Sequence, residues 1–195
     1  MFNKIATRIL FMSSIILFII DGLGDLPTPK TPLQKAKKSN LDFLTKNGAC
    51  GLMSTISLGV TPGSDVSHLQ LFGYDPEKYY CGRGPLEALG VGLDLKDGDI
   101  AFRANFATAR NGSVVDRRAG RITTTEAKKL ENIVNMRIDD VEIIFNSSVE
   151  HRGALILRGP KLSANVSDTD THHTGALQKC VALDNTEEAK RTADM

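Results

Sequence analysis

The apolar run from Ile9 to Ile20 is the strongest constraint on how this chain can fold. Only Ser13 and Ser14 interrupt it, and it stops abruptly at Asp21-Gly22-Leu23-Gly24-Asp25. With Lys4 and Arg8 ahead of it, the run has the basic start and hydrophobic centre of a secretory signal. It is too short to span a bilayer, and no small-residue cleavage site follows it. The alternative is a buried parallel strand, Ile15–Ile20, ending in an acidic loop. Such strands are apolar throughout because helices cover both faces of the sheet. The strand is the stronger reading, and residues 1–13 are left as an extension without an assigned role.

A chain of 195 residues holds one sizeable core or two small domains. Its formal net charge of +1 gives no basic or acidic bias toward nucleic acid or an acidic partner. The three cysteines, Cys50, Cys81 and Cys180, form no CxxC pair. Neither a zinc knuckle nor a disulfide framework is supported, and a reducing cytoplasm fits best.

Beyond the first strand, Thr31-Pro32 fits a helix start with proline in the first turn. Asn40 is placed to cap a second helix, Leu41–Asn47, with Leu41 and Leu44 inward and Gly48 as its stop. Ala49–Ile56 reads as a second strand, so strand, helix and strand suggest a parallel α/β unit. Gly82-Arg83-Gly84-Pro85 is a glycine-rich loop before a short helix, Leu86–Gly90. The segment 100–108 alternates as a strand with a polar face carrying Arg103 and Asn105. Asn111-Gly112 is a strong hairpin signal. Thr125-Glu126 opens a helix, Ala127–Met136, followed by strands Val141–Phe145 and Ala154–Leu157. Residues from about 86 onward therefore read as a mixed α+β unit.

Three places can carry chemistry. Ser64 follows the turn Pro62-Gly63 and opens a helix, where free amides and the dipole favour a phosphate. Its hydroxyl is either a helix cap or a nucleophile, and spacing alone favours the cap. Asp21 lies at the carboxyl end of the first expected strand, where ligands bind in open α/β sheets. Its alternatives are a loop-capping carboxylate or, with Ser64, a donor to a shared divalent metal that would activate the hydroxyl. The second place is Asp116-Arg117-Arg118-Ala119-Gly120-Arg121. Its arginine forks suit phosphate or carboxylate oxygens, and the competing reading is a solvated turn. The third is Val166 to His173, where carboxylates and imidazoles including Asp168, Asp170 and His172 can bind a metal or a polar substrate; they match no zinc spacing and read equally as a polar loop.

These stretches in order resemble one family, the archaeal-type 2,3-bisphosphoglycerate-independent phosphoglycerate mutases of the alkaline phosphatase superfamily. The matching motifs include Ile19-Ile20-Asp21-Gly22-Leu23-Gly24-Asp25, Pro62-Gly63-Ser64-Asp65 with His68-Leu69, Leu71-Phe72-Gly73-Tyr74-Asp75-Pro76, Gly82-Arg83-Gly84-Pro85, Val115-Asp116-Arg117-Arg118-Ala119-Gly120-Arg121 and Val166-Ser167-Asp168-Thr169-Asp170. The resemblance implies an α/β fold. Residues 1–85 would be the N-terminal part of an alkaline-phosphatase-like parallel sheet core, and residues 86–195 an inserted α+β cap. It also implies interconversion of 3-phosphoglycerate and 2-phosphoglycerate through a phosphoserine on divalent metals, Mg or Mn, or Zn or Co. No 2,3-bisphosphoglycerate is required, and the partner is the small-molecule substrate rather than nucleic acid or membrane. Ser64 resembles the nucleophile, and Asp21 with Ser64 resembles part of the metal ligand set. Arg117, Arg118 and Arg121, with Asp168, Asp170 and His172, resemble substrate-binding residues of the cap. The remaining Asp and His metal ligands of the family belong to a C-terminal half that would follow Met195. The chain is therefore expected to be an N-terminal half, unstable or inactive by itself. The competing readings are a phosphatase of the same superfamily and a non-catalytic remnant that binds a phosphorylated ligand.

Overall fold

A computed structural model describes residues 15–20, 22–26, 28–57, 59–60, 63–170 and 172–195. The chain groups into two compact units, residues 1–53 and 54–195. In the first unit, helix α1 (Pro32–Lys35) starts as the sequence suggests. The Thr31 hydroxyl accepts from the Gln34 N–H at 3.2 Å, and Gln34 Oε1 accepts from the Thr31 N–H at 2.9 Å. This is a capping box with proline at the first helical position. Helix α2 (Ser39–Asn47) begins earlier than expected, with Lys38 rather than Asn40 at its cap. Lys38 reaches forward to Asp42 at 2.6 Å, one turn along. Gly48 stops the helix, its N–H bonding to the Leu44 carbonyl at 2.8 Å, but Leu44 itself is exposed.

The two segments read as parallel strands depart from expectation. Neither Ile15–Ile20 nor Ala49–Ile56 carries strand structure, and Ile15 is 94% exposed. Apolar patterning fits a residue for a sheet interior, but a strand exists only by exchanging backbone bonds with a neighbour. Among the described residues nothing pairs with either segment.

The second unit contains both sheets. Helices α3 (Ser64–Leu71), α4 (Pro76–Tyr79) and α5 (Arg83–Gly90) lead into β1 (Ile100–Asn105). Next come β2 (Thr108–Arg110), β3 (Ser113–Asp116), a short turn of 3-10 helix (Ala119–Arg121), α6 (Thr124–Val134), β4 (Met136–Ile138), β5 (Val141–Ser147), β6 (Arg152–Arg158), β7 (Gly175–Ala176) and α7 (Glu187–Asp194). One antiparallel sheet has the order β1-β6-β5-β4, and a smaller one has β2-β3-β7. Asn111 (φ 49°) and Gly112 (φ 73°) form the expected hairpin between β2 and β3. Two successive left-handed residues match the right-handed twist of the strands, which is why Asn-Gly is favoured there. Thr123 and Glu126 form a second capping box, and α6 ends where the Asn135 carboxamide bonds to the Phe145 backbone.

The core lies between α5 and the larger sheet. Ala88 packs on Ala154 and Ile156, with Ala101 and Ile144 around them. Burying Ile156 fully contributes about 1.5–3 kcal/mol. The helix comes this close because Gly84 has no side chain, since a Cβ there would stand 1.9 Å from the Ala101 carbonyl oxygen. Gly153 plays a similar part in the sheet, under the ring of Phe145, which in turn meets Phe106 edge-on at 5.3 Å.

One ion pair ties the entry of β1 to the end of β6. Arg158 grips Asp99 with Nε–Oδ1 at 2.9 Å and Nη2–Oδ2 at 2.7 Å, and the Asp99 side chain is 3% exposed. The Arg158 guanidinium holds the Asp99 carboxyl below the usual carboxylate range, against the opposing effect of burial. A depressed folded pKa means the stabilisation is present above the unfolded value of about 4 and is lost as pH falls below it. Arg158→Ala is therefore expected to cost about 3 kcal/mol at pH 7, because it strands a buried carboxylate. The difference from wild type should shrink toward pH 3 as Asp99 protonates, which urea unfolding at the two pH values measures.

Candidate functional site

Ser64 is the first residue inside α3. Gly63 occupies the cap position and contributes no side-chain bond, so Ser64 is not the helix cap. Its carbonyl lies 2.5 Å from His68 Nδ1, and Ser64 lines a cleft of about 610 Å³. Arg83, Arg103 and Arg152 line the same cleft. Arg83 opens α5, so two helix N-termini contribute residues to this surface, each at a positive dipole end. Arg103 and Arg152 sit on the neighbouring strands β1 and β6. Arg103 Nε is buried without a partner among the described residues. A buried guanidinium donor with nothing to bond is a costly arrangement that an anion would relieve.

Asp65, next to Ser64, is already engaged. Its carboxylate accepts the Tyr80 hydroxyl and the Arg83 fork, with Nε–Oδ2 at 3.1 Å and Nη2–Oδ1 at 3.4 Å. Burial pushes the Asp65 carboxyl up, but the hydrogen bonds from Arg83 and Tyr80 outweigh it and hold the group at about 2. Burial and the Asp65 charge push the Tyr80 phenol up to about 12, so it stays a donor.

A second cavity of about 490 Å³ contains Arg117, Asp168 and Asp170, and Arg103 lines it as well as the first. Arg117 binds Asp170 bidentately, Nε–Oδ1 at 2.8 Å and Nη2–Oδ2 at 2.7 Å, and its Nη2 lies 2.7 Å from His172 Nδ1. Asn105 adds a bond to Asp170 at 3.3 Å, and the Asp170 N–H donates to Asp168 at 2.8 Å. Arg117 is the main cause of an Asp170 carboxyl held at about 2. The structure thus brings four of the sequence candidates, Arg117, Asp168, Asp170 and His172, into one network.

Arg118 and Arg121 are exposed and line neither cavity. They flank a left-handed turn, with Ala119 at φ 48°, Gly120 at 66° and Arg121 at 57°. The Asp116 carboxylate holds this turn by accepting the N–H groups of Arg118 and Gly120, each at 2.8 Å. Left-handed backbone costs roughly 1–2 kcal/mol at each non-glycine position, so the turn is held in place by its local bonds.

Asp21 lies outside the described residues. Among the described residues no group of three His, Cys, Asp or Glu side chains is arranged to hold a metal ion. The carboxylate adjoining Ser64 is also committed to Arg83 and Tyr80. The described residues alone do not make a metal centre. No helix among them is long and apolar enough to cross a membrane.

Sequence reasoning missed the convergence of Arg83, Arg103 and Arg152. The Gly82-Arg83-Gly84-Pro85 motif and the polar face of β1 marked the first two, but nothing marked Arg152. It also missed the Asp65–Tyr80–Arg83 cluster, whose members come from three separate helix ends.

Comparison with known proteins identifies the family of the chain. Residues 45–195 match the family model described as 2,3-bisphosphoglycerate-independent phosphoglycerate mutase. The chain is 55% identical over 185 residues to 2,3-bisphosphoglycerate-independent phosphoglycerate mutase 1 of Methanocaldococcus jannaschii, covering 92% of this chain and 45% of that protein. It is 51% identical to a protein of the same description from Pyrobaculum islandicum, covering 94% of this chain and 47% of that one. The solved cofactor-independent phosphoglycerate mutase of Thermoplasma acidophilum superposes with a TM-score of 0.58 at 44% identity, over 89% of this chain and 47% of the other. The chain thus spans about half the length of the relatives it matches. It belongs to the family of 2,3-bisphosphoglycerate-independent phosphoglycerate mutases.

Proposed function

We propose that this chain supplies the nucleophile and the anion-binding cleft of a phosphoglycerate mutase that interconverts 3-phosphoglycerate and 2-phosphoglycerate. The observation that carries this reading is that Ser64 shares the lining of one cleft with Arg83, Arg103 and Arg152. Phosphoryl transfer asks little covalent chemistry of a protein and much charge neutralisation and positioning. The guanidinium groups and the two helix N-termini neutralise the phosphoryl oxygens. The Ser64 hydroxyl oxygen attacks phosphorus as the bond to the glycerate oxygen breaks, and the serine proton ends on that oxygen, leaving a phosphoserine and free glycerate. The glycerate then takes the phosphoryl group back on its other hydroxyl, which restores Ser64.

In this reading residues 1–85 belong to the catalytic core and 86–195 to the inserted cap. The Arg117–Asp170 network, with Asp168 and His172, forms the substrate-facing side of the cap, and Arg118 and Arg121 extend that basic side. The reading also carries divalent metal ions, Mg or Mn, or Zn or Co. By the resemblance, Asp21 and Ser64 would be among their donors, and the remaining donors would come from beyond the residues named here. Bound metal would lower the pKa of the serine hydroxyl. The function belongs to glycolysis or gluconeogenesis in the cytoplasm, a setting consistent with three free cysteines. The partner is the small phosphoglycerate, with neither nucleic acid nor membrane involved.

The test is a chimera in which this chain replaces the matching 45% of the Methanocaldococcus jannaschii relative. The chimera is expected to interconvert the two phosphoglycerates without added 2,3-bisphosphoglycerate. A folded chimera that only hydrolyses phosphate esters would favour the phosphatase instead.

A further inference from the structure

The Ser64 cleft contains an arginine that is held from behind. Asp65 sits in the first turn of α3, Tyr80 follows α4, and Arg83 opens α5. Their side chains meet at the Asp65 carboxylate, which takes the Tyr80 hydroxyl and both Nε and Nη2 of Arg83. The anchor is shielded and the cation is not: the Asp65 side chain is 11% exposed and that of Arg83 46%. A guanidinium has five N–H donors in a fixed plane, and this fork uses one edge of it, leaving three for another acceptor. The cluster lies against the start of α3, because a Cβ on Gly63 would stand 2.7 Å from Asp65 Oδ1 and 3.9 Å from Arg83 Nη2. That glycine directly precedes Ser64.

We propose that Asp65 and Tyr80 are positioning residues that lock the Arg83 guanidinium beside Ser64, with its free edge presented to an incoming phosphoryl group. The inference rests on the reading of Ser64 and the arginine cleft as the phosphate site. An unrestrained arginine loses rotamer freedom each time it binds an anion. Asp65 fixes two of the five donors before the anion arrives, so less ordering is left for binding. Tyr80 cannot replace that fork. Its hydroxyl donates to Asp65 Oδ2, the oxygen that also takes Arg83 Nε, and so helps to fix the carboxylate plane.

The test uses the chimera with the Methanocaldococcus jannaschii relative, labelled with 15N, and titrates it with inorganic phosphate and with 3-phosphoglycerate. In wild type the Arg83 Nε–H resonance should be protected from exchange and should shift saturably with both anions. Asp65→Asn keeps the shape but loses the charged fork, and is expected to weaken binding about tenfold and expose the Arg83 Nε–H to exchange. The α5 amide signals should stay in place. Arg83→Ala should weaken binding at least as much. The double variant Asp65→Asn/Arg83→Ala should bind no more weakly than Arg83→Ala alone, because Asp65 acts through Arg83. Tyr80→Phe, the gentler change if Asp65→Asn does not fold, should give a smaller loss with the same non-additivity. Wild-type binding with no loss in either variant, or equal losses with and without Arg83, overturns the positioning role and leaves the phosphate cleft standing. A folded wild type that binds neither anion overturns both.

Discussion

Ser64→Ala is expected to lower turnover of the chimera by on the order of 10⁴-fold or more, while its thermal midpoint stays within a degree or two. The reason lies in how the hydroxyl is placed. It does not cap α3, because Gly63 holds that position without a side-chain bond. Removing it therefore costs no capping energy, which elsewhere amounts to about 1 kcal/mol. Ser64 also lines a cleft whose charged groups, Arg83, Arg103 and Arg152, suit a phosphoryl group. A residue that carries chemistry and little stability gives this split between activity and midpoint. Steady-state assays with 3-phosphoglycerate and a thermal melt on the same samples measure it. A loss of activity matched by a large fall in the midpoint would mean Ser64 is structural.

The second large effect concerns packing. Gly84→Ala should destabilise the chain by about 3 kcal/mol or more, the upper range for an overpacked core. The added Cβ would stand 1.9 Å from the Ala101 carbonyl oxygen and 2.7 Å from the Phe102 nitrogen, both backbone atoms that cannot swing aside. Either α5 moves off β1 or the strand bends, and both disturb the contact of Ala88 with Ala154 and Ile156. For a chain of this size that corresponds to a fall in thermal midpoint of about 6–12 °C. Gly90→Ala on the same helix is the control, since nothing lies within 4 Å of a Cβ there and its φ is not left-handed. It should be neutral or slightly stabilising. The same displacement of α5 would pull Arg83 away from Asp65, so Gly84→Ala should also weaken phosphate binding.

Local chemistry was legible in the sequence wherever a few neighbouring residues decide the outcome. Thr31-Pro32 and Asn111-Gly112 each fix a helix start or a turn through bonds and dihedrals within four residues, and both stand as expected. Two strands were visible in Val141–Phe145 and Ala154–Leu157 from their apolar runs, but their antiparallel pairing as β5 and β6 emerges only in the fold. Ile15–Ile20 was misjudged for the opposite reason. Its composition records a need for neighbours, but pairing depends on where those neighbours lie, and a single segment does not contain that information. The site follows the same division. The motif around Ser64 and the arginines from 117 to 121 were marked by their own composition. Arg152 reaches the cleft only because β6 lies against β1, and that pairing spans some fifty residues. The Asp65–Tyr80–Arg83 cluster likewise depends on how three helix ends meet. Arg117 shows the limit from another side: its sequence marks it as a donor, but only the fold reveals that Asp170 already occupies its fork.

The most direct test of the account is to find where the phosphoryl group goes. The chimera is mixed with 3-phosphoglycerate carrying labelled phosphate, quenched in acid within a few turnovers, digested and sequenced by mass spectrometry. Labelled phosphate is expected on the peptide containing Ser64, on that residue, and none on the Ser64→Ala chain. Turnover that persists with the label on another residue, or with no label on the protein at all, would contradict it.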